Sequence, residues 1–240
     1  MPNDYFQFKQ FLIKQGKCAM KVCTDACLFG AWITAHSTNL VARNLLDIGT
    51  GTGLLPLMFA QKNSNAIIDA VEIDKAAAEQ AKENFYASKW KERLHVHNNS
   101  IQKFSETTSK RYDVIISNPP FYENYLKSNN VKRTIALHNA ELNLENLINI
   151  ADNLLNNEGN FFVLLPYHRT EKFIQLTQEN FFVKEKVLIK QTATHSYFRT
   201  MFCLTKQNAT VHQSEIIIMN ERNNYTDEFI NLLKGYYLYL

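Results

Sequence analysis

From residue 43 onward, short apolar runs alternate with longer stretches in which apolar residues recur every three or four positions. The short runs predict strands and the longer ones helices. Asn44–Ile48 reads as a buried strand, Leu54–Gln61 as a helix and Ala66–Glu72 as a second strand. Lys75–Ser88 reads as a helix, with Ala76, Ala77, Ala81 and Phe85 at helical spacing and Asp74 placed to cap it. Two strands follow at Leu94–His97 and Tyr112–Ser117, then a helix over Leu144–Leu155 that ends near Gly159. Asn160–Leu165 predicts a fifth strand and His168–Asn180 a helix. Phe182–Ile189 and Thr200–Leu204 are two further strands with no helical pattern between them.

Strands alternating with helices imply an α/β fold, a parallel sheet covered by helices on both faces. The last two strands, lacking a crossover helix, predict an antiparallel hairpin at the sheet edge, for seven strands in a mostly parallel sheet. Beyond residue 207, Ile216-Ile217-Ile218 suggests a short strand. Thr226 then opens a helix that turns Phe229, Leu232, Leu233, Tyr236 and Tyr237 inward. At 240 residues the expectation is one domain over 1–240. Residues 1–42 form an N-terminal segment of it, 43–206 the core and 207–240 an extension.

Charge changes this picture little, since 26 Lys and Arg stand against 23 Asp and Glu. No apolar run reaches the ~18 residues of a membrane span. The start, Met1-Pro2-Asn3-Asp4-Tyr5, lacks a basic segment followed by an apolar one. The expectation is a cytoplasmic protein with no membrane contact. Cys18, Cys23, Cys27 and Cys203 form no CxxC pair and no zinc spacing with His, so buried reduced thiols and no metal are expected. The backbone-special residues are more telling. Of 7 glycines, Gly49, Gly51 and Gly53 fall within five positions, and of 5 prolines, Pro119 and Pro120 are adjacent.

Asp47-Ile48-Gly49-Thr50-Gly51-Thr52-Gly53 follows a strand and opens a helix. Glycines there allow a tight turn and let a ligand approach without meeting a Cβ. The dinucleotide spacing GxGxxG fails, because Leu54 and Pro56 stand where its last glycine belongs, and no Gly-Lys-Ser/Thr follows as in a P-loop. Glu72, at the end of the second strand, is placed to accept from both hydroxyls of a ribose. Asp47 would repel a pyrophosphate and suits a ligand carrying a positive amino group. S-adenosylmethionine, with a sulfonium, an α-amino group, a ribose and an adenine, satisfies all of these conditions.

The second site is Asn118-Pro119-Pro120-Phe121, after the fourth strand. In a doubly wound sheet this loop and the glycine loop face one crevice. Two prolines stiffen the backbone and leave the carbonyls of Asn118 and Pro119 as displayed acceptors, with the Asn118 amide oxygen beside them. Two acceptors converging on one point hold the two hydrogens of an amino group. Such a clamp localises the lone pair of an amine conjugated to adenine, which then attacks a sulfonium methyl in line. Positioning supplies much of the rate. Phe121 offers a face for a planar partner.

With these residues in place, the sequence resembles the S-adenosylmethionine-dependent amino-N-methyltransferases, whose signature includes Asn-Pro-Pro-Phe. The blocks Phe6-Gln7-Phe8-Lys9-Gln10-Phe11, Cys18 to Ala26, Leu28-Phe29-Gly30-Ala31-Trp32 and Tyr225-Thr226-Asp227-Glu228-Phe229 resemble the bacterial tRNA1(Val) adenine N6-methyltransferases. That resemblance implies a Rossmann-like class I methyltransferase fold and methylation of adenine 37, beside the anticodon. It also implies that Thr24 and Asp25 contact the methionine end of the cofactor. Relatives carry an acid after the third strand that contacts the adenine amine. Here Asn98-Asn99-Ser100-Ile101 stands instead, leaving Ser100 and Ile101 as the candidate contacts.

Three stretches contain no acid: Tyr5–Thr24, Tyr125–Ala140 and Lys186–Ser214. They carry Lys9, Lys14, Lys17 and Lys21; Lys127, Lys132 and Arg133; and Lys186, Lys190, Arg199 and Lys206. The first two adjoin the crevice in sequence, which marks Lys14, Lys17, Lys21, Lys132 and Arg133 as candidate contacts to tRNA phosphates. Two rival readings are a protein glutamine N5-methyltransferase and an RNA-binding protein without catalysis. Only 46 residues precede Asp47, and residue 121 is Phe, where glutamine methyltransferases carry a larger helical domain and a Tyr. The intact glycines, Glu72 and Asn118 weigh against a scaffold.

Overall fold

A computed structural model describes residues 3–37, 43–119 and 143–240. Pro120, Phe121, Lys132 and Arg133 lie outside the described residues. At its centre is an eight-stranded sheet built from β3 (Asn44–Ile48), β4 (Ile67–Glu72), β5 (Leu94–Asn98), β6 (Tyr112–Ser117), β7 (Leu155–Pro166), β8 (Phe182–Lys190), β9 (Arg199–Thr205) and β10 (His212–Ile217). The strand order is β10-β8-β9-β7-β6-β3-β4-β5. Among the described strands of this sheet only β9 runs antiparallel to its neighbours. The expected hairpin is therefore present, but β10 pairs in parallel with β8 and takes the edge, which makes eight strands rather than seven. That strand was legible only as an apolar triplet because four of its six residues are polar, and it is half exposed, as an outermost strand can be.

Strand alternation divides the core into two layers. Leu45, Ile68, Ala70, Val114, Ile116, Phe162 and Leu164 face one side, and Leu46, Val71, Ile115, Phe161 and Val163 the other. The first side is covered by α1 (Thr24–Ser37), α2 (Leu54–Lys62), α3 (Lys75–Tyr86) and α7 (Asp227–Leu233), through Phe29, Trp32, Phe59, Phe85 and Phe229. The second is covered by α4 (Ile101–Thr107), α5 (Leu144–Leu154) and α6 (Thr170–Thr177), through Phe104, Leu147 and Phe173. Asp74 caps α3 as expected, its Oδ1 accepting from Ala77 N–H at 2.8 Å.

A separate two-stranded hairpin, β1 (Tyr5–Gln7) and β2 (Leu12–Lys14), lies against α3. The C-terminal helix is shorter than its apolar periodicity. α7 ends at Leu233, and Tyr236 and Tyr237 pack from the turn beyond it, Tyr237 bridging to Phe8. Of the four thiols only Cys27 and Cys203 are buried; Cys23 is exposed, against the expectation that all would pack inside, and none forms a disulfide. Among the described residues no helix is long and apolar enough to cross a membrane.

Candidate active site

The glycine loop leaves the end of β3 in a left-handed backbone: Gly49, Gly51 and Gly53 have φ of 76°, 54° and 81°. Side chains avoid this region at a cost of roughly 1–2 kcal/mol per residue. The reasons for glycine then diverge. A Cβ on Gly53 would meet the Phe85 ring at 2.5 Å, so that position makes room for Phe85 of α3 beside the start of α2. A Cβ on Gly51 would meet nothing within 4 Å, so that face of the loop opens onto free space.

Glu72 organises this loop from the neighbouring strand. Its Oε2 accepts from Gly51 N–H at 2.8 Å, and its Oε1 accepts from Asp74 N–H at 2.9 Å. Each oxygen keeps a further lone pair, so two acceptor positions remain for a pair of hydroxyls. Ile73, immediately after it, is exposed and offers an apolar surface beside the carboxylate.

Asp47 is 1% exposed, and its Oδ2 has no hydrogen-bond partner among the described residues; nor has the hydroxyl of buried Thr50. Burial pushes the Asp47 carboxyl up to about 7; the nearby Thr50 side chain lowers it in part, and the charge of Glu72 raises it further. A buried carboxylate oxygen and a buried hydroxyl without partners are costly to leave unmade. Together they fit a cationic donor, such as the ammonium of an amino acid.

Strand register brings Asn118 to this loop. Ile48 pairs with Ser117, and the buried Ser117 hydroxyl donates to the Ile48 carbonyl at 3.0 Å. Asn118 therefore emerges beside Gly49. Asn118 is partly exposed, and Pro119 behind it is buried.

The remaining candidates are placed unevenly. Thr24 and Asp25 open α1, and Asp25 Oδ2 accepts from Arg199 Nε at 2.7 Å. Ser100 caps α4, its Oγ accepting from Lys103 N–H at 3.2 Å. Ile101 is buried in the second core layer, so its side chain serves packing. Asn98 ties β5 to the site by donating from Nδ2 to the carbonyl of Glu72 at 2.9 Å. Lys17 pairs with Glu83 at 2.6 Å, and Lys21 lies 3.8 Å from Asp4.

Sequence reasoning missed Asn84. This buried α3 side chain accepts from Lys14 N–H at 2.9 Å and donates to the carbonyls of Lys14 and Thr52, each at 2.9 Å. It joins the N-terminal hairpin to the glycine loop. The signal was present: Gln80 and Asn84 are polar residues one helical turn apart on the buried stripe of Ala77, Ala81 and Phe85.

Known proteins place the chain in a family. The methyltransferase small domain model matches residues 31–193. A tRNA1(Val) (adenine(37)-N6)-methyltransferase of Cytophaga hutchinsonii is 40% identical, with all of both chains covered. One from Flavobacterium psychrophilum is 40% identical over 97% of this chain and 99% of its own. Among solved structures, a predicted O-methyltransferase from Agrobacterium tumefaciens superposes with a TM-score of 0.69 at 16% identity, over 88% of this chain and 96% of that one. A ribosomal protein L11 methylase from Lactobacillus delbrueckii subsp. bulgaricus gives 0.58 at 17%, over 82% and 84%. These two share the Rossmann-like fold. Matched across its whole length by relatives of one name, and over residues 31–193 by the domain model, the chain belongs to the tRNA1(Val) (adenine(37)-N6)-methyltransferase family.

Proposed function

We propose that this protein transfers a methyl group from S-adenosylmethionine to N6 of adenine 37 in tRNA1(Val), in the cytoplasm. The observation that carries the reading is the pairing of Ile48 with Ser117, which sets Asn118 beside a glycine loop whose neighbouring Asp47 and Thr50 side chains hold unpartnered polar atoms. Asp47 and Thr50 suit the amino-acid end of the cofactor, Glu72 the ribose hydroxyls, and Ile73 one face of the adenine. Thr24 and Asp25 approach the methionine end as the family resemblance implies. When bound, the cofactor supplies an electrophilic methyl on a sulfonium.

The protein's task is then to present the amine. The Asn118 amide oxygen and the Pro119 carbonyl each accept one N–H of the adenine amino group. This draws the nitrogen toward tetrahedral geometry and turns its lone pair to the methyl. No strong base is required, because the proton leaves after transfer, when the nitrogen carries the positive charge. By the motif reading, Phe121 stacks on the extruded base. The target lies in a loop, where extrusion costs less than from a duplex.

The test is incubation with labelled S-adenosylmethionine and either purified tRNA or a protein extract, followed by nucleoside analysis. N6-methyladenosine in the tRNA is expected; label confined to polypeptide would transfer the reading to glutamine amides. In a second arm, Asn118→Ala should keep cofactor affinity within a few fold and lose most turnover. Near-normal turnover in that variant would remove the amine clamp.

A further inference from the structure

The third acid-free stretch, Lys186–Ser214, is distant in sequence from both signature motifs. The sheet brings its middle to the crevice. β9 runs against β7, so Arg199 pairs with Pro166 at the end of β7, on the same rim as Ser117 and the glycine loop. β8 also ends on that rim, at Lys190. Residues 190–199 therefore edge the opening into which Asn118 emerges.

A tilted aromatic pair stands there. Tyr167 follows Pro166, its N–H donating to the carbonyl of Phe198 at 3.1 Å. Tyr167 is 40% exposed, and its ring centroid lies 5.2 Å from that of Tyr197 at an interplanar angle of 44°. Tyr197 is fixed from two other sides: its hydroxyl donates to Glu215 Oε2 at 2.6 Å, and Lys190 Nζ sits 4.4 Å from its ring centroid. Arg199, two residues on, is held by Asp25. Tyr167 is thus exposed and rests on Tyr197, which is held by Glu215 and Lys190, themselves paired at 3.5 Å.

Its position suits a neighbour of the target base. Ser117 pairs with Val163, so Pro166, the last residue of β7, lies three residues past that level, with Tyr167 opening the short 3-10 turn Tyr167–Arg169 directly after it, and Asn118 lies one residue past it after β6. At ~3.3 Å per residue the end of β7 stands about 7 Å beyond Asn118 and one strand across, with Tyr167 next to it. That is within reach of a nucleotide next to one whose base occupies the catalytic turn. A flat aromatic face stacks on any base.

We propose that Tyr167, supported by Tyr197 and Lys190, is the platform on which a nucleotide flanking the methylated adenine stacks. This rests on the tRNA reading above and adds to it a specificity-determining surface.

The experiment measures initial rates on a tRNA1(Val) transcript, with S-adenosylmethionine and tRNA varied in turn, for the wild type, Tyr167→Ala and Tyr167→Phe. Tyr167→Ala should raise the KM for tRNA ~5-fold or more. The KM for S-adenosylmethionine should stay within twofold, and Tyr167→Phe should match the wild type. Replacing a flanking base by an abasic residue should cost the wild type as much as Tyr167→Ala does, and cost Tyr167→Ala nothing further. A wild type that methylates tRNA beside an unaffected Tyr167→Ala would overturn the platform alone. So would Tyr167→Phe failing as badly as Tyr167→Ala, since that pattern belongs to a hydroxyl contact. A wild type that transfers nothing to tRNA would overturn the tRNA reading and the platform together.

Discussion

Two carboxylates on adjacent strands do opposite things with their burial. Glu72 is ordered by backbone donors. Converting it to Gln replaces one oxygen with an amide NH2 that faces the N–H of Gly51 or Asp74, donor against donor. Glu72→Gln should weaken S-adenosylmethionine binding by roughly 1–3 kcal/mol, as calorimetry would read it. Asp47 has no such donors and binds its proton up to about pH 7 in the folded chain, against 3.8 ordinarily. Between those values the folded state holds a proton that the unfolded state has lost. Its contribution to stability therefore falls as pH rises from about 4 to 7. Asp47→Asn should melt a few degrees above the ligand-free wild type at pH 8, at roughly 2–4 °C per kcal/mol for a chain of this size. The gap should narrow as pH falls through 7 and close only below about pH 4. The same substitution should weaken the cofactor, because the site loses its anion. A melting gap that did not vary with pH would remove Asp47 as the group responsible.

At the scale of elements, β4 shows why a strand with charges in it still forms. Glu72 shares a face with Ile68 and Ala70, whereas Asp69 faces the opposite helix layer. There it accepts from His97 Nε2 at 2.8 Å, Lys110 Nζ at 2.7 Å and the Tyr112 hydroxyl at 3.0 Å. Burial alone would raise its pKa. Hydrogen bonds from His97, Lys110 and Tyr112 outweigh that and hold it at about 2, so its stabilisation is present above pH 4 and fades as pH falls toward 2. Removing it leaves the Tyr112 hydroxyl buried and unpaired, while Lys110 and His97 reach water. Asp69→Ala should then cost about 1–3 kcal/mol in denaturant unfolding, with turnover per folded molecule unchanged. Gly53→Ala should likewise unfold earlier, from strain and the Phe85 clash, whereas Gly51→Ala should lose cofactor affinity more than stability. Long elements with a clear period were legible in the sequence: β3, β4, β6, α3 and the glycine loop fall where the pattern puts them. The three-residue strands β1 and β2 and the seven-residue α4 were not, being too short to show a period. β7 begins at Leu155, five residues before its apolar run, because its first residues pair with β6 across an irregular register.

For the molecule as a whole, a stretch without acids in sequence need not be without acids in space. Lys14 and Lys17 line a cleft whose walls carry Asp4 and Glu83, and the Lys17 ammonium is raised by its hydrogen bond to Glu83. A lysine already paired releases fewer counterions when it meets a phosphate. Lys17→Ala should therefore flatten the salt dependence of tRNA binding by well under one unit of slope. Glu83→Gln, which frees that lysine, should tighten tRNA binding at low salt. Unchanged binding in Glu83→Gln would show that the hairpin face does not meet the RNA. The candidate site was half legible for the same reason. Asp47, the glycines, Glu72 and Asn118 are consecutive with strand ends, whereas Asn84, Arg199 and Tyr167 join the crevice only once the strands are ordered.

The Asn84 amide bears on timing. One side chain closes three hydrogen bonds, to the hairpin at Lys14 and to the glycine loop at Thr52, so neither segment can open locally without straining the other. Occupancy of the glycine loop should accordingly slow amide hydrogen exchange in residues 12–14, far along the chain from any cofactor contact. In Asn84→Ala that protection should vanish while the loop's own protection persists. A tRNA presented to the hairpin would thereby meet a surface already settled by the methyl donor, which predicts ordered addition with the cofactor first.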